Sequence, residues 1–319
     1  MTSNTVCVLG GTGFVGGHVV PHLAAAGRRV SVLTRRPERH RELSVTPGVR
    51  LVKADIHDGH QLRQHFAGHD CIVNLVGILN EWPGADFRRV HVDLPTAVVD
   101  ACRQSGVQRL LHMSALNADG ARGTSAYLRS KGEGENHVHS NGKAGVGVTS
   151  FRPSVIYGRG DSFFNRFASL LRIAPYVFPL ACPNSRFAPV YVGDVAEALH
   201  RAMDDSDTFD QHYDLCGPRT LTLQALVEYT ASTARLRRRV VPLSDALSRL
   251  QARVLSHAPG KPFSYDNYLS LQTDSVCAEN GLERLGITPT DIDTVVPLYL
   301  GGRGERHRYD QLRSQAHRS

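Results

Sequence analysis

The chain has 319 residues, 41% hydrophobic and 21% charged, with a formal charge of +7. That is ordinary globular usage, and the length can bury a full core in one large α/β domain or one with a smaller appended lobe. No apolar run approaches the roughly eighteen residues that span a bilayer, and arginine is spread without the aromatic interleaving of a nucleic-acid module, so neither a transmembrane helix nor nucleic-acid binding is expected.

The chain reaches an apolar strand by Val6, leaving no room for a signal or transit peptide, so a cytoplasmic protein is expected. Further β-branched, apolar runs stand at 30–33, 49–52, 71–76, 109–113 and 147–151, with helical spacing of apolar residues between several of them, as over 15–26 and 96–105. That rhythm predicts βαβ units: a Rossmann-like, doubly wound parallel sheet with helices on both faces. Pro21 should kink the first helix. After Phe151 the rhythm changes. A turn at 158–161, a helix at 163–173, a proline-bearing connector at 174–186, a strand at 188–192 and a helix at 194–203 are expected, and helices dominate from Leu221. The resulting division is a dinucleotide-binding domain over 1–160, to which 188–216 return, and a smaller, mostly helical lobe from 161–187 and 217–300. A basic polar tail follows over 301–319. The six cysteines (Cys7, Cys71, Cys102, Cys182, Cys216, Cys277) are scattered without a C-x-x-C pair and read as buried thiols, not disulfides or a zinc site.

The segment VCVLGGTGFVGGHVV sets Gly10, Gly13 and Gly16 at G-x-x-G-x-x-G spacing after a strand and at the start of a helix. Gly10 allows the tight turn, Gly13 lets backbone approach a pyrophosphate, and Gly16 lets the helix pack close. Thr12, Phe14 and Val15 complete this loop, whose helix N-terminus attracts the phosphate charge. A carboxylate at the end of the second strand would hydrogen-bond ribose hydroxyls. The sequence offers Arg35 and Arg36 instead, which suit a 2′-phosphate and favour NADP(H) over NAD(H). Tyr127 and Lys131 stand at i, i+4, one turn apart on a helix face. A tyrosine serving as acid or base near pH 7 needs a shift of about three units, and a neighbouring ammonium in a dehydrated cleft can favour the phenolate.

The loop GGTGFVG and the Tyr127/Lys131 pair resemble the short-chain dehydrogenase/reductase superfamily, in its extended and atypical branch. So do ADIHD (54–58), NLVG (74–77), FRPSVIYG (151–158) and PVYVGDVAEAL (189–199). More narrowly, HMSALNADG, YLRSKGEGE, GRGDSFFNRFASLLR and LERLGITP resemble the NADPH-binding accessory subunits of respiratory complex I and their bacterial relatives. The resemblance implies Asp55 and Ile56 beside adenine, and Val76 and Gly77 along the cofactor's middle. It implies Lys131 on the nicotinamide ribose with Tyr127 beside it, and Pro153, Ser154 and Val155 bordering the nicotinamide. Active members carry a catalytic hydroxyl after the fifth strand. Counting thirteen residues back from Tyr127 selects Ser114 for it. Strand register selects Ala115 and leaves Ser114 structural; register is preferred because a strand fixes side-chain direction. The resemblance therefore implies an NADP(H)-binding protein with a structural, sensing or quinone-linked role, with contact to a respiratory complex or to the inner face of a membrane through the C-terminal lobe and tail. The rival is a working NADP-dependent oxidoreductase or epimerase that acts on a small carbonyl or hydroxyl compound through Tyr127 and Lys131.

No metal site is expected: His18 and His22 at i, i+4 read as a solvent-facing pair, and His137 and His139 do not share a helical face. Trp82 could cover the nicotinamide end or simply pack. Arg186 could reach a substrate or form a surface ion pair. The amphipathic run 243–255 reads as a core-facing lobe helix, with membrane or partner docking as the alternative.

Overall fold

Alternation decides the first strand, Thr5–Leu9 (β1). Val6 and Val8 belong to one apolar cluster and Cys7 and Leu9 to another, all fully buried. A strand apolar on both faces needs cover on both. The computed structural model describes residues 3–143, 145–258 and 263–301, so the tail beyond Gly301 lies outside the described residues. After β1 come α1 (Gly16–Ala25), β2 (Arg29–Thr34), α2 (Arg41–Ser44), β3 (Val49–Lys53), α3 (Gly59–Phe66), β4 (Cys71–Asn74), α4 (Leu94–Ser105), β5 (Arg109–Met113), α5 (Ala126–Gly142) and β6 (Gly147–Pro153). The second half adds β7 (Ile156–Tyr157), α6 (Phe164–Ile173), β8 (Val177–Leu180), β9 (Arg186–Phe187), β10 (Val190–Tyr191), α7 (Val192–Asp204) and β11 (Gln211–Leu215). It ends with β12 (Leu221–Thr222), α8 (Leu223–Thr233), β13 (Arg239–Pro242), α9 (Asp245–Leu255), α10 (Tyr265–Ser270), α11 (Gly281–Arg284) and α12 (Ile292–Leu300).

Seven parallel strands form one sheet in the order β3-β2-β1-β4-β5-β6-β11. This is the doubly wound, Rossmann-like architecture the strand–helix rhythm predicts. Val19, Val20 and Leu23 of α1 and Val195 and Leu199 of α7 cover one face. Leu62 and Phe66 of α3, Val98 and Val99 of α4, and Val138 of α5 cover the other. Each such side chain contributes about 1.5–3 kcal/mol when taken fully from water. Three further clusters lie under α6, α8, α9 and α12. Among the described residues, no helix is long and apolar enough to cross a membrane.

Pro21 lies inside α1, which continues to Ala25. Three expectations need correction. The connector 174–186 contains β8, which pairs in parallel with β13; its Pro179 is tolerated because the pair is a two-stranded ribbon, where one missing donor is cheap. Cys216 and Cys277 are disulfide-bonded, while Cys7, Cys71, Cys102 and Cys182 are free and buried. Their 61-residue separation hid the pairing from spacing alone. Asn280, donating to Cys216 O and accepting from Cys216 N, helps bring the two segments together. The third is α9, whose register is the reverse of a core-facing helix. Its buried residues are Ser248 and Ala252, while Leu247, Leu250 and Val254 are 51%, 56% and 62% exposed. The small pair lets α9 lie close on Ala181, Cys182 and Tyr268, and the Ser248 hydroxyl accepts from Cys182 N.

Candidate functional site: the crevice at the sheet's switch point

β1 lies between β2 and β4, so the connections leaving it and arriving beside it run over opposite faces. A crevice opens at the carboxyl ends of the strands where this happens. Gly10 turns there with φ +75°, and a Cβ on it would fall 3.0 Å from the Leu75 carbonyl carbon and 3.1 Å from Val76 N. Only a residue without a side chain fits between these strand ends. A Cβ on Gly16 would overlap Gly11 Cα, so the start of α1 can reach the loop only as glycine. Gly13 N donates to Gly10 O at 3.0 Å, and Val15 O accepts from His18 and Val19 N. The Phe14 ring meets His18 edge-on. α1 has neither a side-chain cap nor an acidic residue in its first turn. Its N-terminal partial positive charge is therefore unmatched by protein, the condition for holding an anion.

A cleft of about 450 Å³ extends from Gly10 and Thr12 along Leu33–Arg36 to Arg39, His40, Ala54, Ile56 and Val76. That size suits a nucleotide portion. Arg35, Arg36 and Arg39 are exposed on its rim, and none of the lining residues is a carboxylate. Asp55 adjoins the cleft in sequence but is not part of its lining; its carboxylate accepts from His57 N.

The second half of the crevice is carried by α5. Ser125 caps it by accepting from Leu128 N, which fixes the register of Tyr127 and Lys131. Lys131 is 4% exposed and donates to Met113 O at the end of β5, at 2.5 Å. A Cβ on Gly77 would lie 3.8 Å from Lys131 Nζ and 3.7 Å from His91 Nε2, so the β4 loop and α5 meet here. Burial lowers the Lys131 ammonium to about 8, opposed by Glu135. Burial pushes the Tyr127 phenol up to about 12, with Asp266 adding to it. The shift in Tyr127 thus runs opposite to the one expected from the lysine: dehydration and the Asp266 charge both favour the neutral phenol.

A model of the NAD dependent epimerase/dehydratase family matches residues 6–216. The chain belongs to this family. It is also homologous to the complex I accessory subunit. It is 30% identical over 299 residues to NADH dehydrogenase (ubiquinone) 1 alpha subcomplex subunit 9, mitochondrial, of Mus musculus, covering 90% of this chain and 77% of that one. It is 27% identical over 313 residues to the NADH-ubiquinone oxidoreductase 40 kDa subunit, mitochondrial, of Neurospora crassa, covering 96% and 81%. Among solved structures, MoeE5 in complex with UDP-glucose and NAD superposes with a TM-score of 0.71 at 19% identity, covering 97% of this chain and 99% of that one, a likeness of fold.

Within this epimerase/dehydratase fold the remaining candidates divide. Ser114 is buried and donates to Glu135 Oε2 at 2.8 Å. Arg152 Nε and His212 Nδ1 share that carboxylate, at 2.9 and 2.7 Å from Oε1. The Ser114 proton is therefore committed beneath the sheet edge, and Ala115 beside it offers none. Ser154 donates to Ser275 O and its N–H to Leu215 O; Pro153 and Val155 carbonyls accept from Leu116 and Val190 N. These three residues tie β6 to its neighbours and stand outside the cleft lining. Trp82 forms a small hairpin with Ala85 through backbone bonds, and Arg186 N donates to Asp274. His18 and His22 do not simply face solvent: His18 Nε2 meets Arg159 O, and His22 Nε2 meets Glu197. His137 lies 4.0 Å from Glu133, and His139 bonds Ser150.

Sequence reasoning missed three contributors. Arg39 extends the cationic rim and His40 the cleft lining, and the run RRPERHR was their signal. His91 had none. Its Nε2 accepts from Ile78 N, so Nδ1 carries the proton and donates to Ser130 Oγ, which donates to Tyr127 O. One buried imidazole thus fixes the β4 loop against the helix bearing Tyr127 and Lys131.

Proposed function

We propose that this family member binds NADP(H) in the crevice and acts through binding, in a respiratory or quinone-linked setting like that of its accessory-subunit relatives. The observation that carries the cofactor choice is the rim of Arg35, Arg36 and Arg39 on a cleft without a carboxylate. The loop Gly10–Gly16 holds the pyrophosphate on the α1 N-terminus, Ile56 flanks the adenine, and Val76 lies along the cofactor's middle. Gly77 leaves room beside Lys131, which holds the nicotinamide ribose, with Tyr127 next to it and Pro153–Val155 behind. The bound group would supply a hydride-carrying nicotinamide. Weak chemistry is supported by Ala115, by a Ser114 proton engaged with Glu135, and by a Tyr127 phenol raised instead of lowered. This reading also divides the chain into a dinucleotide domain (1–160 with 188–216) and a lobe (161–187 with 217–300).

The rival, a working reductase or epimerase, is favoured by the intact Tyr127/Lys131 pair. Thermal-shift titration with NADPH and NADH, followed by NADPH oxidation with quinones and small carbonyl compounds, separates the two. The expected result is NADPH binding without turnover, with Tyr127→Phe changing affinity by no more than about fivefold, the worth of one neutral hydrogen bond. Hydride transfer abolished by Tyr127→Phe establishes the enzyme instead.

We further propose that the lobe docks on an anionic membrane surface through α9. Its exposed Leu247, Leu250 and Val254 form one stripe flanked by exposed Arg249 and Arg253. Nearby, Ile173, Tyr176 and Val177 are exposed beside Arg237 and Arg239, where β8 meets β13. Across 161–187 and 217–258 ten arginines stand against three acids. Apolar side chains ringed by guanidinium groups match the acyl–headgroup boundary. Cosedimentation with phosphatidylglycerol vesicles should be salt-sensitive and fall about tenfold or more in Leu250→Asp. Equal sedimentation of the variant, or none by the parent, refutes the docking.

A further inference from the structure

We propose that His22, Glu197 and His200 form a binding site for one divalent transition-metal ion of the zinc or nickel kind. The site joins α1 to α7 at the end of α1 away from the glycine loop, so it is separate from the dinucleotide crevice and independent of what that crevice binds.

His22 Nε2 lies 3.0 Å from Glu197 Oε2, and His200 Nδ1 lies 3.8 Å from the same oxygen. All three ligand atoms fall within 4.8 Å of one another. Ligands held about 2.0–2.2 Å from a tetrahedral ion stand roughly 3.3–3.5 Å apart, between the two measured separations. Small ring rotations therefore suffice to close the site. Where a proton now joins Nε2 of His22 to the carboxylate, the ion would replace it.

The surroundings are those of a prepared ligand set. Arg201 Nε takes Glu197 Oε1 at 2.6 Å, and its NH1 also donates to the carbonyls of Leu285 and Gly286. The other oxygen, Oε2, is thereby turned to the two imidazoles with its carboxylate fixed from behind. All three residues are partly exposed, giving an ion access and leaving room for water as a fourth ligand. Two imidazoles and a carboxylate without a thiolate suit Zn²⁺, Ni²⁺ or Cu²⁺ better than Ca²⁺, Mg²⁺ or a soft ion. Among the described residues, a second histidine–carboxylate group, Glu135 with His139 and His212, is a poorer host, because Arg152 and Ser114 already occupy the Glu135 oxygens.

Isothermal titration of the full chain without an affinity tag, using ZnCl₂ and then NiCl₂, reads the site. One ion per chain is expected, with a rise in Tm as α1 is tied to α7. His200→Ala and Glu197→Gln should each weaken binding at least about tenfold, and His22→Ala with His200→Ala should abolish it, while His60→Ala changes nothing. His200→Gln stands in if the alanine variant does not fold, and circular dichroism checks each chain. A Co²⁺-loaded protein should show the intense visible bands of a four-coordinate site, lost in the double variant. No binding by the parent chain, or the same affinity and stoichiometry in the double variant, overturns the proposal; the latter places the ion on other histidines.

Discussion

Alanine at both Arg35 and Arg36 is expected to weaken NADPH about 100-fold while leaving NADH within about threefold. The two cofactors differ by one phosphate on the adenosine ribose, and the cleft presents these side chains at the end of β2, where that ribose lies in a Rossmann crevice. A hydrogen bond to a charged group contributes about 1.5–3 kcal/mol. Both guanidinium groups are exposed, so solvent and salt screening put each at the low end of that range. Two such contacts come to about 3 kcal/mol, or two powers of ten in Kd. Arg39 on the same rim should hold the residual preference, and adding Arg39→Ala should bring the two cofactors close together. Raising salt should weaken NADPH more than NADH in the parent and equally in the triple variant. Fluorescence or calorimetric titration of the parent and both variants with each cofactor gives the six constants. Matching losses for both cofactors in the double variant would mean that the arginines serve the pyrophosphate or general attraction, and the 2′-phosphate assignment would fall.

Where sequence periodicity had a physical cause in the strand itself, it was readable. β1 is apolar on both faces and the middles of β5 and β6 are buried on both, and a strand with two buried faces implies helices on both sides whatever follows. The glycine loop was legible for a similar reason: its constraint is local, a positive φ at Gly10 and a close approach at Gly16. The Tyr127/Lys131 spacing showed only that the two share a helix face. It could not show that both are dehydrated, because the groups enclosing them, His91, Asp266 and Gly77, come from elsewhere in the chain. The commitment of Ser114 to Glu135 was equally hidden, since Arg152 and His212 reach that carboxylate from β6 and β11. In α9 the pattern was read correctly as amphipathic, and the wrong face was assigned to the core. Ser248 and Ala252 pack inward because the neighbouring surface leaves space only for small side chains, information that lies in residues 181–182 and 268.

Acid should destabilise this protein early, and the crevice is the reason. Burial, followed by the Lys131 charge, pushes His91 down to about 2 and His112 down to about 3. In the unfolded chain both imidazoles take up a proton near pH 6.5. Below that pH the unfolded state binds more protons than the folded one, so stability declines as pH falls, by about 1.4 kcal/mol per unit for each histidine, until the folded values are reached. From pH 7 to about pH 5 the two together remove about 4 kcal/mol, against a total of roughly 5–15 kcal/mol for a typical domain. Glu135, held down to about 2 by His212 and Arg152 against its burial, adds a loss in the same direction only below the ordinary glutamate range, near pH 4.5. His139, lowered to about 4 chiefly by burial, adds to the loss in the same direction. Urea unfolding at about pH 7, 6 and 5 should therefore show a midpoint that falls steadily through this window, and His112→Asn should make the slope shallower by the share of one histidine, about 1.4 kcal/mol per unit. A midpoint unchanged between pH 7 and 5 would mean that these imidazoles are protonated in the fold. His91 could then no longer accept from Ile78 N while donating to Ser130, and the brace between the β4 loop and the helix of Tyr127 and Lys131 would need another explanation.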